Sequence, residues 1–268
     1  MLKTRILTAL VGIPLIFICI FTGGWIFFAL MFIVNFFCIK EYLAICKKYE
    51  PNTIFCLIAG SLFFILLYFM KDNLSVMNFT ALLIFALLLL FGFEVFRQKP
   101  DNGVQRIAVS FLAILFFPIS FLFMVFINQL FLGGKYMFLL FVTVWVLDTA
   151  AYAIGKRYGK RKLSPHISPN KTIEGAIAGL VSGILFSILI SNFFGLFPAW
   201  KAAILGLVIA IAGQFSDLAE SLIKRDADIK DSGAIIPGHG GVLDRFDSYL
   251  FAAPIVYYLI LCLQESNY

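Results

Sequence analysis

The residues able to do chemistry in this chain gather in its second half, at the ends of apolar runs. In the run that ends near residue 225, Asp217, Glu220, Ser221 and Lys224 follow one another at helical spacing. On a helix they form one polar stripe. Two carboxylates one turn apart are the hard, closely spaced oxygen donors that a divalent cation takes. The segment 230–248 mixes both charges with glycine and contains Lys230, Asp231, Gly238, His239, Gly240, Gly241, Asp244, Arg245, Asp247 and Ser248. Glycines there let backbone come close to a ligand, and Asp244, Asp247 and Ser248 share a face if a helix begins at that point. Upstream, Asp148, Tyr152 and Gly155 lie on one helical face. Ser168-Pro169-Asn170-Lys171-Thr172 then marks a turn whose Thr172 is placed to cap the next helix. Exposed amides at that helix start, beside Lys171, suit a phosphate.

Taken together, the acids can hold Mg²⁺ while Lys171, Lys224, Arg225, Lys230 and Arg245 neutralise phosphates. Phosphoryl chemistry consists mostly of positioning and charge stabilisation, which this set of residues can supply. Each feature also has a structural alternative. Asp148 can pair with a nearby Lys or Arg, residues 168–175 can be an ordinary capped helix, and the 217–224 stripe can be a self-neutralised network. His239 alone would be a packing residue. The chain contains no GxxxxGK[ST], GxSxG or HExxH, so P-loop and the common hydrolase templates are excluded.

The elements that position these residues are membrane spans. Of 268 residues 62% are hydrophobic and 13% charged, with 32 Phe. Soluble domains run near 45–50% apolar and 25% charged, and a soluble fold of this length cannot hide so much apolar surface. Nine apolar runs are read at 6–21, 25–45, 54–70, 74–96, 107–132, 136–154, 173–194, 202–223 and 249–263. Most reach the roughly 17–25 residues a spanning helix needs, and helices are required because unpaired backbone is too costly in lipid. Pro118 should kink the fifth run. The ninth is short, carries Pro254, and is expected to begin earlier, near Asp247.

With nine spans and the N-terminus inside, the outer segments hold only Lys71, Lys135 and Lys201 of the 21 basic residues. That asymmetry is a strong positive-inside signal. The expected architecture is therefore an all-α integral membrane protein with about nine transmembrane helices, N-terminus cytosolic and C-terminus outside. Residues 1–134 form an N-terminal region of five spans, and residues 135–268 a catalytic region of four spans with cytosolic polar loops. The first run starts like a signal sequence but lacks a small-x-small cleavage site, so it is read as a retained span. Cysteines 19, 38, 46, 56 and 262 form no CxxC and suggest neither a zinc site nor a disulfide framework. The net charge of +6 is explained by the inner loops, which would draw anionic membrane lipids; nucleic acid need not be invoked.

The order Ser221-x-x-Lys224-Arg225, Lys230-Asp231, Pro237-x-His239-Gly240-Gly241-x-x-Asp244-Arg245-x-Asp247 closely resembles the signature of phosphatidate cytidylyltransferases, the CDP-diacylglycerol synthases. Asp148 to Tyr152, Ser168-Pro169-x-Lys171-Thr172, and Gly213-Gln214 with Asp217-Leu218-x-Glu220-Ser221 are similar to that family as well. The resemblance covers residues 148–248; the first half agrees only in being hydrophobic. It implies the reaction of CTP with phosphatidate to give CDP-diacylglycerol and pyrophosphate, with Mg²⁺ required and K⁺ as a further ion. It also implies that Asp217 and Asp244 hold the metal, with Asp148, Glu220 and Asp247 as further candidates. Asp217, Lys224, Asp244 and Arg245 are then assigned to the reacting centre. Lys171, Thr172, Ser221, Arg225, Lys230, His239, Gly240 and Gly241 are assigned to substrate.

Two other readings predict different observables. A CTP-dependent lipid-alcohol kinase would transfer the γ-phosphate to a neutral alcohol and would need a base, for which His239 or an Asp would serve. A transporter with an acidic ion path would place ionisable residues near mid-membrane, whereas the acids here sit at the inner ends. A homodimer is compatible with either enzyme reading. The short chain without long extensions points to a bacterial inner membrane with the active site facing the cytosol.

Overall fold

The structure, a computed structural model, describes residues 2–73, 75–236, 238 and 240–265, with backbone alone for residues 2–7 and 73. Nine helices carry the described chain: α1 Leu2–Thr22, α2 Gly24–Ile45, α3 Thr53–Met70, α4 Val76–Arg97, α5 Gly103–Gln129, α6 Gly133–Tyr158, α7 Ile173–Phe194, α8 Ala199–Asp226 and α9 Leu243–Glu265. Eight are long and apolar enough to cross a membrane, and the apolar part of α1, Thr8–Thr22, adds a shorter one. Each of the nine apolar runs lies in one of these helices, with ends shifted by a few residues.

Two helices depart from regularity where the sequence gave warning. In α5 the residues before Pro118 adopt a wider π turn over Leu112–Phe116. A proline lacks an N–H and clashes with the carbonyl four residues back, and the extra residue in the π turn absorbs that conflict. α9 starts at Leu243, one turn earlier than expected, and its regular ladder is interrupted at Asp247 and Ser248 before continuing over Tyr249–Glu265. Ser216 of α8 covers the interruption: its hydroxyl donates to the Asp247 carbonyl and accepts from the Phe251 N–H at 3.3 Å.

Polar contacts between elements fall into two sets, as helices that alternate in direction require. At one end are Arg97 with Glu50, Arg106 with Glu94, Lys48 with Asp226, Lys171 with Asp217 and Lys224 with Asp244. At the other, Lys71 donates to Gln129 at 2.6 Å, Asn128 to the Ile20 carbonyl at 2.8 Å and Lys201 to the Leu263 carbonyl at 2.7 Å. Lys71 and Lys201 thus lie at the end opposite Asp217 and Asp244.

α6, α7 and α8 form the tightest packing, and small residues allow it. A Cβ on Gly206 would meet the Ser187 Cβ at 2.6 Å and the Gly183 carbonyl at 2.7 Å. Close backbone approach through glycine is how helices associate where the hydrophobic effect cannot drive them together. Between α6 and α7 the chain makes an antiparallel hairpin, β1 Lys162–Ser164 with β2 Ser168–Thr172, in which Lys162 faces Thr172. β2 runs straight into α7.

Candidate active site

The hairpin is fixed before it presents any side chain. Thr172 caps α7 as expected, its hydroxyl accepting from the Gly175 N–H at 3.1 Å. Glu174 in the first turn reaches back to accept from the N–H groups of Lys160 at 3.0 Å and Arg161 at 3.2 Å. β2 therefore leaves α7 in a set direction, and Lys171 meets Asp217 of α8 at 2.5 Å.

On α8 the polar stripe forms as its spacing requires. Ser221 donates to Asp217 at a long 3.5 Å. Lys224 pairs with Glu220 one turn back and reaches Asp244 of α9 at 2.8 Å. Asp244 also accepts from the Ser232 N–H at 3.1 Å and the Gly241 N–H at 2.9 Å. Asp247 accepts from the Ser248 N–H at 2.6 Å and feels the charges of Asp217, Glu220 and Asp148. Asp148 lines the same cavity as Asp217 and Lys171. Carboxylates from α6, α8 and α9 thus share one end of the bundle, partly neutralised by lysines on β2 and α8.

Beside them opens a cavity of about 700 Å³ lined by Asp148, Tyr152, Lys156, Lys162, Asn170, Lys171, Thr172, Gln214 and Asp217. Its walls carry lysines from α6, β1 and β2 beside the acids, and a polyanionic ligand needs such cations. A second cavity, about 400 Å³ and almost wholly apolar, lies between α5, α8 and α9 against Phe116, Phe117, Ile223, Leu243 and Phe251, with Glu220 at its edge. One helix, α8, borders both.

The residues singled out from the sequence are not all gathered here. Asp217, Lys224, Asp244, Lys171, Thr172, Glu220, Asp247 and Asp148 converge. Arg245 is exposed. Arg225 instead ties backbone together, donating to the Ile167 and Ile229 carbonyls at 3.2 Å each. Lys230 is exposed. Gly240 needs its glycine for a φ of +85°, and a Cβ there would meet Asp244 Oδ2 at 2.9 Å. Gly241 is buried beside Asp244 and a residue from α2. His239 lies outside the described residues. Among the described residues no three Asp, Glu, His or Cys side chains stand ready to hold a metal; Asp217 and Asp244 carry the ammonium groups of Lys171 and Lys224.

Sequence reading missed Glu41, which α2 brings to this end of the bundle. It is buried and accepts from the Leu243 N–H at 2.8 Å, the Val242 N–H at 3.0 Å and the Ser232 hydroxyl at 3.2 Å. Its signal was present: it is the acid inside the apolar run 25–45, and an acid within a span is a functional candidate by default. Lys156 and Lys162 of the cavity wall were also passed over as members of a basic loop, and Gln214 was noted only as part of the family resemblance.

The profile described as "Cytidylyltransferase family" matches residues 3–263 of this chain. The chain belongs to the cytidylyltransferase family. The chain is similar to proteins named phosphatidate cytidylyltransferase from three bacteria. The Bacillus subtilis protein is 34% identical, with 97% of each chain covered. The Synechocystis protein is 33% identical over 97% of this chain and 96% of its own. The Staphylococcus saprophyticus protein is 32% identical over 97% and 99%. The match therefore extends through α1–α5 of the cytidylyltransferase as well as through the signature, so Glu41 on α2 lies inside it.

Proposed function

We propose that this cytidylyltransferase joins the cytidylyl group of CTP to phosphatidate, giving CDP-diacylglycerol and pyrophosphate, at the cytosolic face of a bacterial inner membrane. The observation that carries the reading is the cavity at the helix ends, which Lys156, Lys162 and Lys171 line together with Asp148 and Asp217. A triphosphate finds cations there, at the level where a lipid head group also lies. The apolar cavity on the other side of α8 suits the acyl chains. The names of the relatives support the same pair of substrates.

In this reading the phosphatidate phosphate attacks the α-phosphorus of CTP and pyrophosphate leaves on the opposite side. The nucleophile is a phosphomonoester with a second pKa of about 6, already ionised near neutral pH, so no protein base is needed. Lys171 and the hairpin lysines hold the leaving pyrophosphate. Lys224, fixed between Glu220 and Asp244, neutralises charge where the two anionic reactants meet.

Mg²⁺ is proposed on the chemistry of the donors, with K⁺ as a companion. Asp148 and Asp217 line one cavity while Glu220 and Asp244 share Lys224 beside it, and hard carboxylate oxygens are what such a cation takes. Asp217 and Asp244 would hold it, and when bound it would offset the repulsion between the two substrates. The deciding experiment supplies the purified protein with phosphatidate, Mg²⁺ and CTP labelled at the α-phosphate. Label entering the lipid phase with release of pyrophosphate is expected. Label that stays in water as CDP, while an offered lipid alcohol gains phosphate, would make the enzyme a kinase and overturn the reading.

A further inference from the structure

Glu41 and Asp244 grip the same loop from opposite sides. Glu41, only 4% exposed, takes the Val242 and Leu243 N–H groups and the Ser232 hydroxyl. Asp244 takes the Gly241 and Ser232 N–H groups. Ser232 is thus bonded to both carboxylates, through its hydroxyl on one side and its amide on the other.

The glycines of the loop are shaped to the same side chain. A Cβ on Gly233 would meet Glu41 Oε1 at 2.6 Å, and one on Gly241 would meet Glu41 Oε2 at 2.5 Å. The carboxylate of α2 fills the space that these two glycines leave. Without it, two buried backbone N–H groups lose their acceptor, and a buried donor left unpaired costs more than its hydrogen bond contributed. The loop would move to hydrate them, and Asp244 would move with it.

We propose that Glu41 is a positioning residue for the transfer reaction: through Ser232, Val242 and Leu243 it holds Asp244 against Lys224. The inference rests on the cytidylyl-transfer reading for the consequence in rate, though not for the contact itself. It gives the N-terminal helices a part in the chemistry, since α2 supplies the anchor for a loop whose catalytic acid lies on α9. The cavity that takes CTP is lined from α6, the hairpin, α7 and α8, so it should be left intact.

The test compares wild type, Glu41→Gln and Glu41→Ala in detergent, by hydrogen exchange of peptides and by steady-state kinetics. Faster exchange confined to the peptide spanning 232–244, with α7 peptides unchanged, should accompany a fall in kcat of at least tenfold. KM for CTP should stay within threefold. Exchange that rises across α7 and α9 alike would reduce Glu41 to a general structural role and overturn the proposal. So would local exchange with kcat within threefold of wild type, or lost turnover with the loop still protected. If wild type itself transfers no label to phosphatidate, the functional reading fails, while the exchange result still decides whether Glu41 holds the loop.

Discussion

Lys171 on β2 and Asp217 on α8 meet at 2.5 Å, with 29% and 27% of their side chains exposed. The contact joins the hairpin to the acid stripe in the wall of the polar cavity. Ion pairs with side chains this exposed contribute little to folding, about 0–1 kcal/mol, and both residues line the cavity read as the CTP site. Lys171→Met should therefore leave thermal stability in detergent within a few degrees. It should lower kcat/KM for CTP by at least tenfold, measured as label transferred at varied CTP. A variant as active as wild type would remove Lys171 from the substrate set.

Asp244 gathers a lysine, two backbone amides and, at one remove, Glu41. Asp244→Asn keeps the shape but removes the charge that holds Lys224, and its amide opposes donors where the carboxylate accepted from them. Turnover at saturating substrates should fall more than tenfold. Chelation should abolish activity and added Mg²⁺ restore it. Turnover that stays within about threefold in the variant, or that survives exhaustive chelation, would show the metal assignment to be wrong.

Much of this was legible in the sequence because lipid makes ionisable residues conspicuous. Asp217, Glu220 and Lys224 fall on one face by spacing alone, and the Thr172 cap follows from its place before an apolar run. Glu41 was equally visible as a lone acid, but its partners lie 191–202 residues away, and no periodicity links them. The glycines at 238, 240 and 241 read as room for a ligand; at 241 the room is filled by Glu41 from another part of the chain. The β hairpin read as a basic loop, because pairing Lys162 with Thr172 depends on α6 and α7 bringing the strands together. Pro118 announced a bend, and the π turn that accommodates it is set by packing in α5.

The close contact at Gly206 predicts a dose-dependent loss. Each added methylene must be placed between α7 and α8, where a single Cβ already meets backbone at 2.7 Å. Overpacking of this kind costs about 1–3 kcal/mol. Gly206→Ala should lower the unfolding midpoint in detergent and Gly206→Val should lower it further. α8 also carries Gln214 and Asp217, so KM for CTP should rise in the same order. Equal stability in all three proteins would mean that the helices can part without cost.

Arg106 offers a prediction on stability alone. It is 2% exposed, pairs with Glu94 at 2.6 Å, and donates to the carbonyls of Asp101 and Lys99, closing the turn between α4 and α5. None of these residues lines the polar cavity. Arg106→Met leaves Glu94, itself only 13% exposed, with Arg97 at 3.9 Å as its one remaining ion-pair partner among the described residues. Breaking a buried pair from one side costs roughly 3–5 kcal/mol, whereas removing both charges is often close to neutral. The single variant should unfold at a markedly lower temperature, and Arg106→Met with Glu94→Gln should recover most of the loss. Activity per folded molecule should stay within twofold in both. A double variant no more stable than the single one would shift the weight from the ion pair to the two carbonyl bonds that Arg106 makes across the turn.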